Sequence, residues 1–201
     1  MRIGDEVHRL GQDVTALQYV DVAKCTDSYS QLSYEAAIRG EEIVQKLRRL
    51  VFDTANISKV EYLSQAADAL GITIREDADI VEITLPCLLP GRKSKSNDFI
   101  SGPLFGALSQ FIANRREPFK RFEHCAICIT HVYNKTLMAK RRIRDHDNME
   151  VKGIIDVINL FLLSDDTGGL CDIFNTSEIA DTDMTRIAIM KKDAFPEWVL
   201  R

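Results

Sequence analysis

The sequence predicts an α+β or α/β domain with a mixed sheet, preceded by a helical segment at the N-terminus. Residues up to about 70 place apolar side chains three and four positions apart, which is the spacing of one helix face. From Ile72 onward apolar residues alternate with polar ones and are often β-branched, which favours strands. We therefore divide the 201-residue chain into a helical extension, residues 1–71, and a domain, residues 72–201.

Two helices are predicted in the extension. Tyr34–Phe52 has apolar residues on one side and charged residues on the other. Ser58–Leu70 begins with a capping-box pattern, because Glu61 follows Ser58 by three residues, and Gly71 is placed to end the helix. No pattern typical of catalysis occurs in this segment, so we expect it to serve oligomerisation or to pack against the following domain.

The domain is predicted to follow the order β-α-β-α-β-β. Such an order is typical of an α/β domain with a mixed sheet. The predicted elements are strand Ile80–Leu85, helix Phe99–Asn114, strand Phe122–Tyr133, helix Asn148–Leu163, and strands Leu170–Thr176 and Thr185–Lys191.

Composition argues against several classes of protein. Hydrophobic residues make up 45% of the chain and charged residues 28%, which is ordinary for a globular protein and argues against disorder. No apolar run is long enough to span a membrane, and no signal-peptide core is present, so we expect a cytoplasmic protein that does not contact membranes. The five cysteines are an odd number, which argues against a disulfide framework.

A zinc site is the weakest of the alternatives. Cys125 and Cys128 form a C-x-x-C pair with His124 and His131 nearby, and these residue types bind zinc. No second ligand pair follows at zinc-finger spacing, and the segment is predicted to be a strand. Because residues three apart on a strand point to opposite faces, the pattern favours a sheet core.

Charge is distributed unevenly along the chain, although the net charge is only −4. Residues 81–144 carry 12 Lys and Arg against 4 Asp and Glu, whereas residues 145–201 carry 5 against 12. A basic stretch that runs into an acidic one suits a surface that binds a polyanion and holds cations. Charge blocks that merely solvate a surface would give the same distribution.

An acidic motif precedes the second predicted helix of the domain. Asp145 and Asp147 flank His146, and residues two apart in an extended segment project to the same side. Asn148 is placed to cap the helix, whose N-terminus attracts phosphate. A further pair, Asp165 and Asp166, follows the helix. A returning strand would be needed to bring one of them beside Asp145 and Asp147. Aspartates at a helix start are common, so the motif alone favours an ordinary helix start.

The residue types fit magnesium or manganese chemistry. Clustered carboxylates repel one another unless a cation lies among them, and hard oxygen ligands favour Mg²⁺ or Mn²⁺. Such an ion can activate water and polarise a phosphodiester. A basic run beside the motif could hold phosphates, namely Lys140, Arg141, Arg142 and Arg144.

The spacing of these residues resembles that of the RusA family of Holliday junction resolvases. The similarity covers residues 80–192 and includes Ile83-Thr-Leu-Pro86, the D-x-D-N motif and the later acidic pair. It implies a homodimeric, metal-dependent endonuclease that cuts branched DNA in recombination and repair, and suggests a phage or prophage origin. In that resemblance Asp145, Asp147 and Asp166 are the catalytic metal ligands, Lys152 is the catalytic lysine, and Arg144 holds a phosphate.

The resemblance has departures that bear on activity, among them the loop after Ile83-Thr-Leu-Pro86, which lacks the aromatic and Asn-rich sequence usual in the family. The family lysine lies four residues after the second aspartate, where this chain has Val151, so Lys152 is one residue late. Asp156 is displaced by the same single residue, so an insertion or helix bulge before Lys152 would explain both shifts. The alternative is a nucleic-acid-binding or assembly protein that keeps the fold without cutting.

Overall fold

The computed structural model describes residues 3–21, 24–91, 98–137 and 143–200. Contacts divide the chain into two units, Met1–Ile57 and Ser58–Arg201. The first is helical, and the second combines helices with a mixed five-stranded sheet, which confirms the α+β class. None of the helices in these ranges is long and apolar enough to cross a membrane.

The first unit is a hairpin of two helices, α1 (Ile3–Tyr19) and α2 (Thr26–Thr54). Its contact surface includes charged residues, because Glu6 is buried and pairs with Lys46, and Arg39 pairs with Asp13 at 2.8 Å. In α2 the buried residues are Ala36 and Ile43. This unit therefore has a small core.

The second unit begins with α3 (Lys59–Leu70), whose ends are fixed by local sequence. The Ser58 hydroxyl accepts a hydrogen bond from the backbone N–H of Glu61 at 3.1 Å, and Gly71 ends the helix with a left-handed φ of 81°. Both features were predicted. The predicted segment boundary followed this helix, whereas in the structure α3 packs against the next helix, α4 (Asp98–Ala113).

The remaining elements are β1 (Thr73–Asp77), β2 (Ile80–Leu85), β3 (Cys125–Asn134), α5 (Lys152–Leu162), β4 (Cys171–Ala180), β5 (Met184–Lys191) and α6 (Phe195–Val199). The five strands form one sheet in the order β1-β2-β5-β3-β4. The predicted order β-α-β-α-β-β is present from β2 onward, and among these five strands β3 and β4 are the parallel neighbours. The strand β1 was not predicted, because its sequence Thr-Ile-Arg-Glu-Asp has little apolar alternation.

The two faces of the sheet are covered differently. One face packs against α4 and α5 and forms the main apolar core, with Ile83, Ile127 and Ile158 fully buried. The other face carries a smaller cluster that includes Cys128 and is covered by Phe195 and Trp198 at the C-terminal end. Cys125 belongs to the first cluster and Cys128 to the second, so their predicted placement on opposite faces is confirmed.

The predicted start of the second helix of the domain, at Asn148, was wrong. The helix α5 begins at Lys152, with Val151 in the N-cap position and no side-chain cap, so Asn148 does not cap it. Asn148 instead ends a single 3₁₀ turn, His146–Asn148, and the segment around Asp147 is not extended. Tertiary contacts fix this conformation, because Met149 forms a β-bridge with Gly91 and the N–H of Glu150 donates to the carbonyl of Pro90 at 2.9 Å.

Candidate functional site

The candidate site lies where the parallel strands β3 and β4 end. The chain leaves β3, passes through the 3₁₀ turn, and returns along α5 to begin β4 beside the start of β3. The 3₁₀ turn His146–Asn148 together with Asp145, which we call the acidic turn, and the N-terminus of α5 are therefore near the carboxyl ends of both strands.

The acidic turn is held in place by its flanking residues. Asp145 is the N-cap residue of the 3₁₀ turn and Asp147 lies within it, and both are exposed. Between them, Nε2 of His146 forms a hydrogen bond with the hydroxyl of Ser177 on β4 at 2.9 Å. The turn therefore presents two carboxylates to solvent while its central side chain is bound to the sheet.

Arg144 makes structural contacts as well as carrying a positive charge. Its guanidinium donates to the carbonyl of Leu89 at 3.1 Å, and its backbone N–H donates to the hydroxyl of Tyr133 at 3.3 Å. These contacts join the start of the turn to the loop after β2 and to the end of β3. The other predicted phosphate contacts, Lys140, Arg141 and Arg142, lie outside the described residues.

Lys152 is the first residue of α5 and is exposed. Its ammonium forms an ion pair with Asp156 one turn later, at 2.7 Å. The hydrogen bond and charge of Asp156 raise the pKa of Lys152, and the charges of Asp166 and Glu150 raise it further. Lys152 is therefore a cation at neutral pH and is not suited to act as a base.

The later acidic pair follows α5, and the charge of Asp166 acts on Lys152 at the start of α5 and on Cys171 at the start of β4. Asp166 is half-buried, and its backbone N–H donates a hydrogen bond to Oδ1 of Asp165 at 2.8 Å. The charge of Asp166 raises the pKa of Lys152. Within the ranges described, no three His, Cys, Asp or Glu residues are grouped so that they could hold a metal ion. The convergence of Asp145, Asp147 and Asp166 on one ion therefore stays a prediction.

The one-residue displacement of Lys152 falls outside helical structure. The residues between the 3₁₀ turn and α5 are not part of a helix, so an extra residue there does not change how the side chains of α5 are oriented relative to one another. Lys152 and Asp156 still share one helix face, as their ion pair shows. A helix bulge is therefore not needed to bring these two residues together.

Residues 1–201 match the model of a family of unknown function, DUF6100. The chain belongs to the DUF6100 family. No curated protein matches this DUF6100 chain. A similar solved structure is the periplasmic domain of Helicobacter pylori MotB, with 12% identity, a TM-score of 0.34, and coverage of 65% of this chain and 85% of that one.

A histidine that was predicted to be an ordinary sheet residue lies against the site of this DUF6100 member. His131 is fully buried on β3, and its Nε2 donates to Oδ1 of Asn175 on β4 at 3.3 Å. Its ring lies 5.6 Å from that of His146, and its Nδ1 has no hydrogen-bond partner among the described residues. Burial lowers the pKa of His131, and His146 lowers it further, whereas the Asn175 contact raises it. His131 is thus a neutral imidazole that supports the acidic turn through His146.

Sequence offered only a weak signal for this histidine cluster, which consists of His131, His146, Asn175 and Ser177. Asn175 and Ser177 lie two apart on β4 and therefore face the same side, as do His131 and Tyr133 on β3. The parallel register of the two strands, which places His131 opposite Ser177, is what joins the cluster. That register is set by tertiary structure.

The cysteines of β3 and β4 form a second local arrangement at the opposite end of these strands. Cys125 lies directly opposite Cys171 in the parallel register, and both are buried. The hydrogen bond between the two thiols and their burial raise the pKa of Cys125. Both cysteines are free thiols.

A large cavity lies on the other face of the sheet and apart from the acidic turn. It has a volume of about 600 Å³ between the sheet and α6, with Phe174 and Trp198 in its lining. Its polar lining includes the ion pair between Arg186 and Glu178. Size alone does not make it the functional site, since none of the acidic-turn residues lines it.

Proposed function

We propose that this chain is a divalent-metal-dependent endonuclease that hydrolyses phosphodiesters in branched DNA. One observation carries the proposal: two exposed carboxylates, Asp145 and Asp147, lie on a fixed turn at the carboxyl edge of β3 and β4, directly before α5. The resemblance to RusA-type resolvases supports the same assignment. It also supports action as a homodimer in recombination or repair.

The donor atoms at the turn fit a hard divalent cation. The candidate ligands Asp145, Asp147 and Asp166 are carboxylates, and no thiolate is among them, which suits Mg²⁺ or Mn²⁺. When bound, such an ion would supply an activated water and would polarise the phosphodiester. These three aspartates would hold it.

The neighbouring residues would bind and orient the nucleic acid. Lys152 remains protonated, so its ammonium is available to neutralise phosphate charge when a DNA backbone competes with Asp156 for it. Arg144 fixes the start of the acidic turn, and the basic run Lys140, Arg141 and Arg142 would add phosphate contacts. His131 and Ser177 hold His146, which keeps the turn in one conformation.

Cleavage of a labelled four-way DNA junction in the presence of Mg²⁺ or Mn²⁺ tests the proposal. We expect Asp147→Asn to lose about 100-fold or more in cleavage rate while it still binds the junction, because metal ions contribute several kcal/mol to such reactions. Asp193→Asn is the matched control, because Asp193 is exposed and follows β5 at the opposite end of the sheet. Absence of cleavage by the wild type with either ion would contradict the proposal.

A second candidate is a nucleic-acid-binding or assembly protein that does not cut DNA. The ion pair between Lys152 and Asp156 favours it, because the lysine is already neutralised within its own helix. In this case the wild type and Asp147→Asn would bind junction DNA equally and neither would cleave it. Binding that is measured together with cleavage therefore separates the two candidates.

A further inference from the structure

Cys125 and Cys171 are the first residues of the parallel strands β3 and β4, and they lie directly opposite each other. Both side chains belong to the main apolar core, so they point to the same face of the sheet. Neighbouring strands lie about 4.8 Å apart, and a disulfide bond needs its two Cα atoms about 4.4–6.8 Å apart. The register therefore places the two residues within the distance at which their sulfur atoms can be joined.

The two thiols interact and differ in acidity. The hydrogen bond from Cys125 lowers the pKa of Cys171, and the charge of Lys192 lowers it further, whereas burial and the charges of Asp166 and Asp172 raise it. The net effect is a lowered pKa for Cys171 and a raised pKa for Cys125. Because the thiolate is the nucleophile in thiol–disulfide exchange, Cys171 is suited to attack a disulfide and Cys125 to complete the exchange.

Both cysteines lie at the border between the core and exposed loops. Cys125 follows two exposed residues, and Cys171 follows a segment, residues 164–170, in which most side chains are exposed. Strand ends next to exposed loops open locally at a lower cost in free energy than the centre of a sheet. Local opening would therefore bring a small reagent to these sulfur atoms while the rest of the sheet stays folded.

We propose that Cys125 and Cys171 form a reversible dithiol–disulfide pair that exchanges with low-molecular-weight disulfides. The Cys171 thiolate attacks one sulfur of the small disulfide and releases the other half as a thiolate. The sulfur of Cys125 then attacks that of Cys171, loses its proton and releases the second half. The two cysteines together give up two electrons, which reduce the small disulfide, and their two protons convert the released thiolates into two thiols.

The disulfide would close the connection that carries the acidic turn and α5. This connection, residues 126–170, leaves and re-enters the sheet beside the two cysteines, and the N–H of Cys125 donates to the carbonyl of Leu170 at 2.9 Å. A covalent bond at this point would limit separation of the two strand ends. Neither cysteine belongs to the acidic turn, so the proposal does not depend on nuclease activity.

Treatment of the folded full-length chain with oxidised glutathione at about pH 8 tests the pair. The remaining thiols are then alkylated with iodoacetamide in denaturant, and mass spectrometry of the intact protein and of its peptides counts and locates them. We expect all but two of the five cysteines to be alkylated, and we expect one disulfide between Cys125 and Cys171. Dithiothreitol should restore all the thiols.

Cys128 is the matched control within the same strand. It is 5% exposed, which is close to the 4% of Cys171, but it lies on the opposite face of the sheet and opposite Phe174. Global unfolding would expose these cysteines together, so we expect the thiols of Cys125 and Cys171 to be lost about tenfold or more faster than that of Cys128. Cys128→Ser should form the same disulfide as the wild type, and Cys171→Ala should form none.

Hydrogen exchange measures the effect on the strand ends. Exchange of the amide of Cys125 should slow about tenfold or more in the oxidised wild type, and unchanged exchange would contradict the tie between the strands. The proposal is overturned if the wild type keeps all its thiols after about a day, if glutathione stays attached to either cysteine, or if Cys128 reacts as fast. These measurements use the wild type, so they remain decisive even where Cys171→Ala does not fold.

Discussion

The helical hairpin and the sheet unit of this chain are stabilised in different ways. In the sheet unit, strands and helices bury a continuous apolar cluster that includes Ile83, Ile127 and Leu104. In the hairpin, the contact surface includes the charged residues Glu6 and Asp13, and large apolar residues remain exposed on α2. The sheet unit therefore has an apolar core of its own, whereas charged contacts form part of the packing surface of the hairpin.

The largest expected effect comes from a glycine at the contact between α3 and α4. A Cβ atom added at Gly106 would lie 2.3 Å from the backbone carbon of Leu63 and 2.4 Å from the backbone nitrogen of Ser64. Because the close atoms belong to the backbone of α3, the two helices would have to move apart, so Gly106→Ala should lower the free energy of unfolding of the sheet unit by about 3 kcal/mol. Urea unfolding of the full-length chain, followed by hydrogen exchange in α3 and α4, measures this loss.

The same substitution in the hairpin should act in the opposite direction. At Gly40 of α2 an added Cβ atom meets nothing within 4 Å, and alanine favours helix over glycine. Gly40→Ala should therefore stabilise α2 by about 0.5–1 kcal/mol. Slower hydrogen exchange in α2 would support this, and equal losses in the two variants would contradict the proposed difference between the units.

A smaller effect is expected from the charged contact inside the hairpin. Glu6 is 2% exposed and pairs with Lys46, whose side chain is 46% exposed. Lys46→Met leaves the buried Glu6 carboxylate without its cation, and one oxygen of this carboxylate already has no hydrogen-bond partner among the described residues. The free energy of unfolding should fall by about 1–2 kcal/mol. The loss is moderate because solvent reaches Lys46 and screens the pair. Thermal unfolding of the full-length chain, together with hydrogen exchange in α1, measures this loss of stability.

The double variant Glu6→Leu/Lys46→Met tests whether the charged pair itself stabilises the hairpin. Both partners are then replaced by apolar residues of similar size, so no charge is left unpaired. We expect its stability to equal or exceed that of the wild type. A double variant as unstable as Lys46→Met alone would show that the charged pair itself stabilises the hairpin.

Local sequence predicted those parts of the fold that local interactions determine. Ser58 and Gly71 fix the ends of α3 through contacts within a few residues, so a capping pattern is enough to find them. The strand β1 was missed because pairing with β2 stabilises it, although its own residues are mostly exposed. Its existence depends on a neighbour, and no pattern within five residues shows that.

The conformation of the candidate site was only partly predicted. The motif around Asp145 and Asp147 was visible as a sequence pattern. Asn148 was wrongly predicted to cap α5, because contacts with Pro90 and Gly91 keep the residues after it out of the helix. His131 and Ser177 are separated by 46 positions in the sequence and meet through the parallel register of β3 and β4. Sequence periodicity carries no information on that register.

The smallest expected effect concerns the pH dependence of the sheet unit and comes from His131. Burial lowers the pKa of His131 below its ordinary value of 6.5, so the unfolded chain binds a proton here more readily than the folded chain does. Stability contributed by the neutral imidazole is therefore present above pH 6.5 and is lost as the pH falls below it. His146, Asn175 and Tyr133 are the neighbours that would face the added charge.

Two variants separate protonation of His131 from simple loss of packing. His131→Gln should have a flatter dependence of unfolding free energy on pH below 6.5 than the wild type, because the protonating group is gone. Val132→Ala removes a buried side chain next to it without removing an ionisable group, so it should lower stability equally at all pH values. Urea unfolding from pH 7 downward measures both slopes, and a slope in His131→Gln equal to that of the wild type would assign the acid sensitivity to other residues.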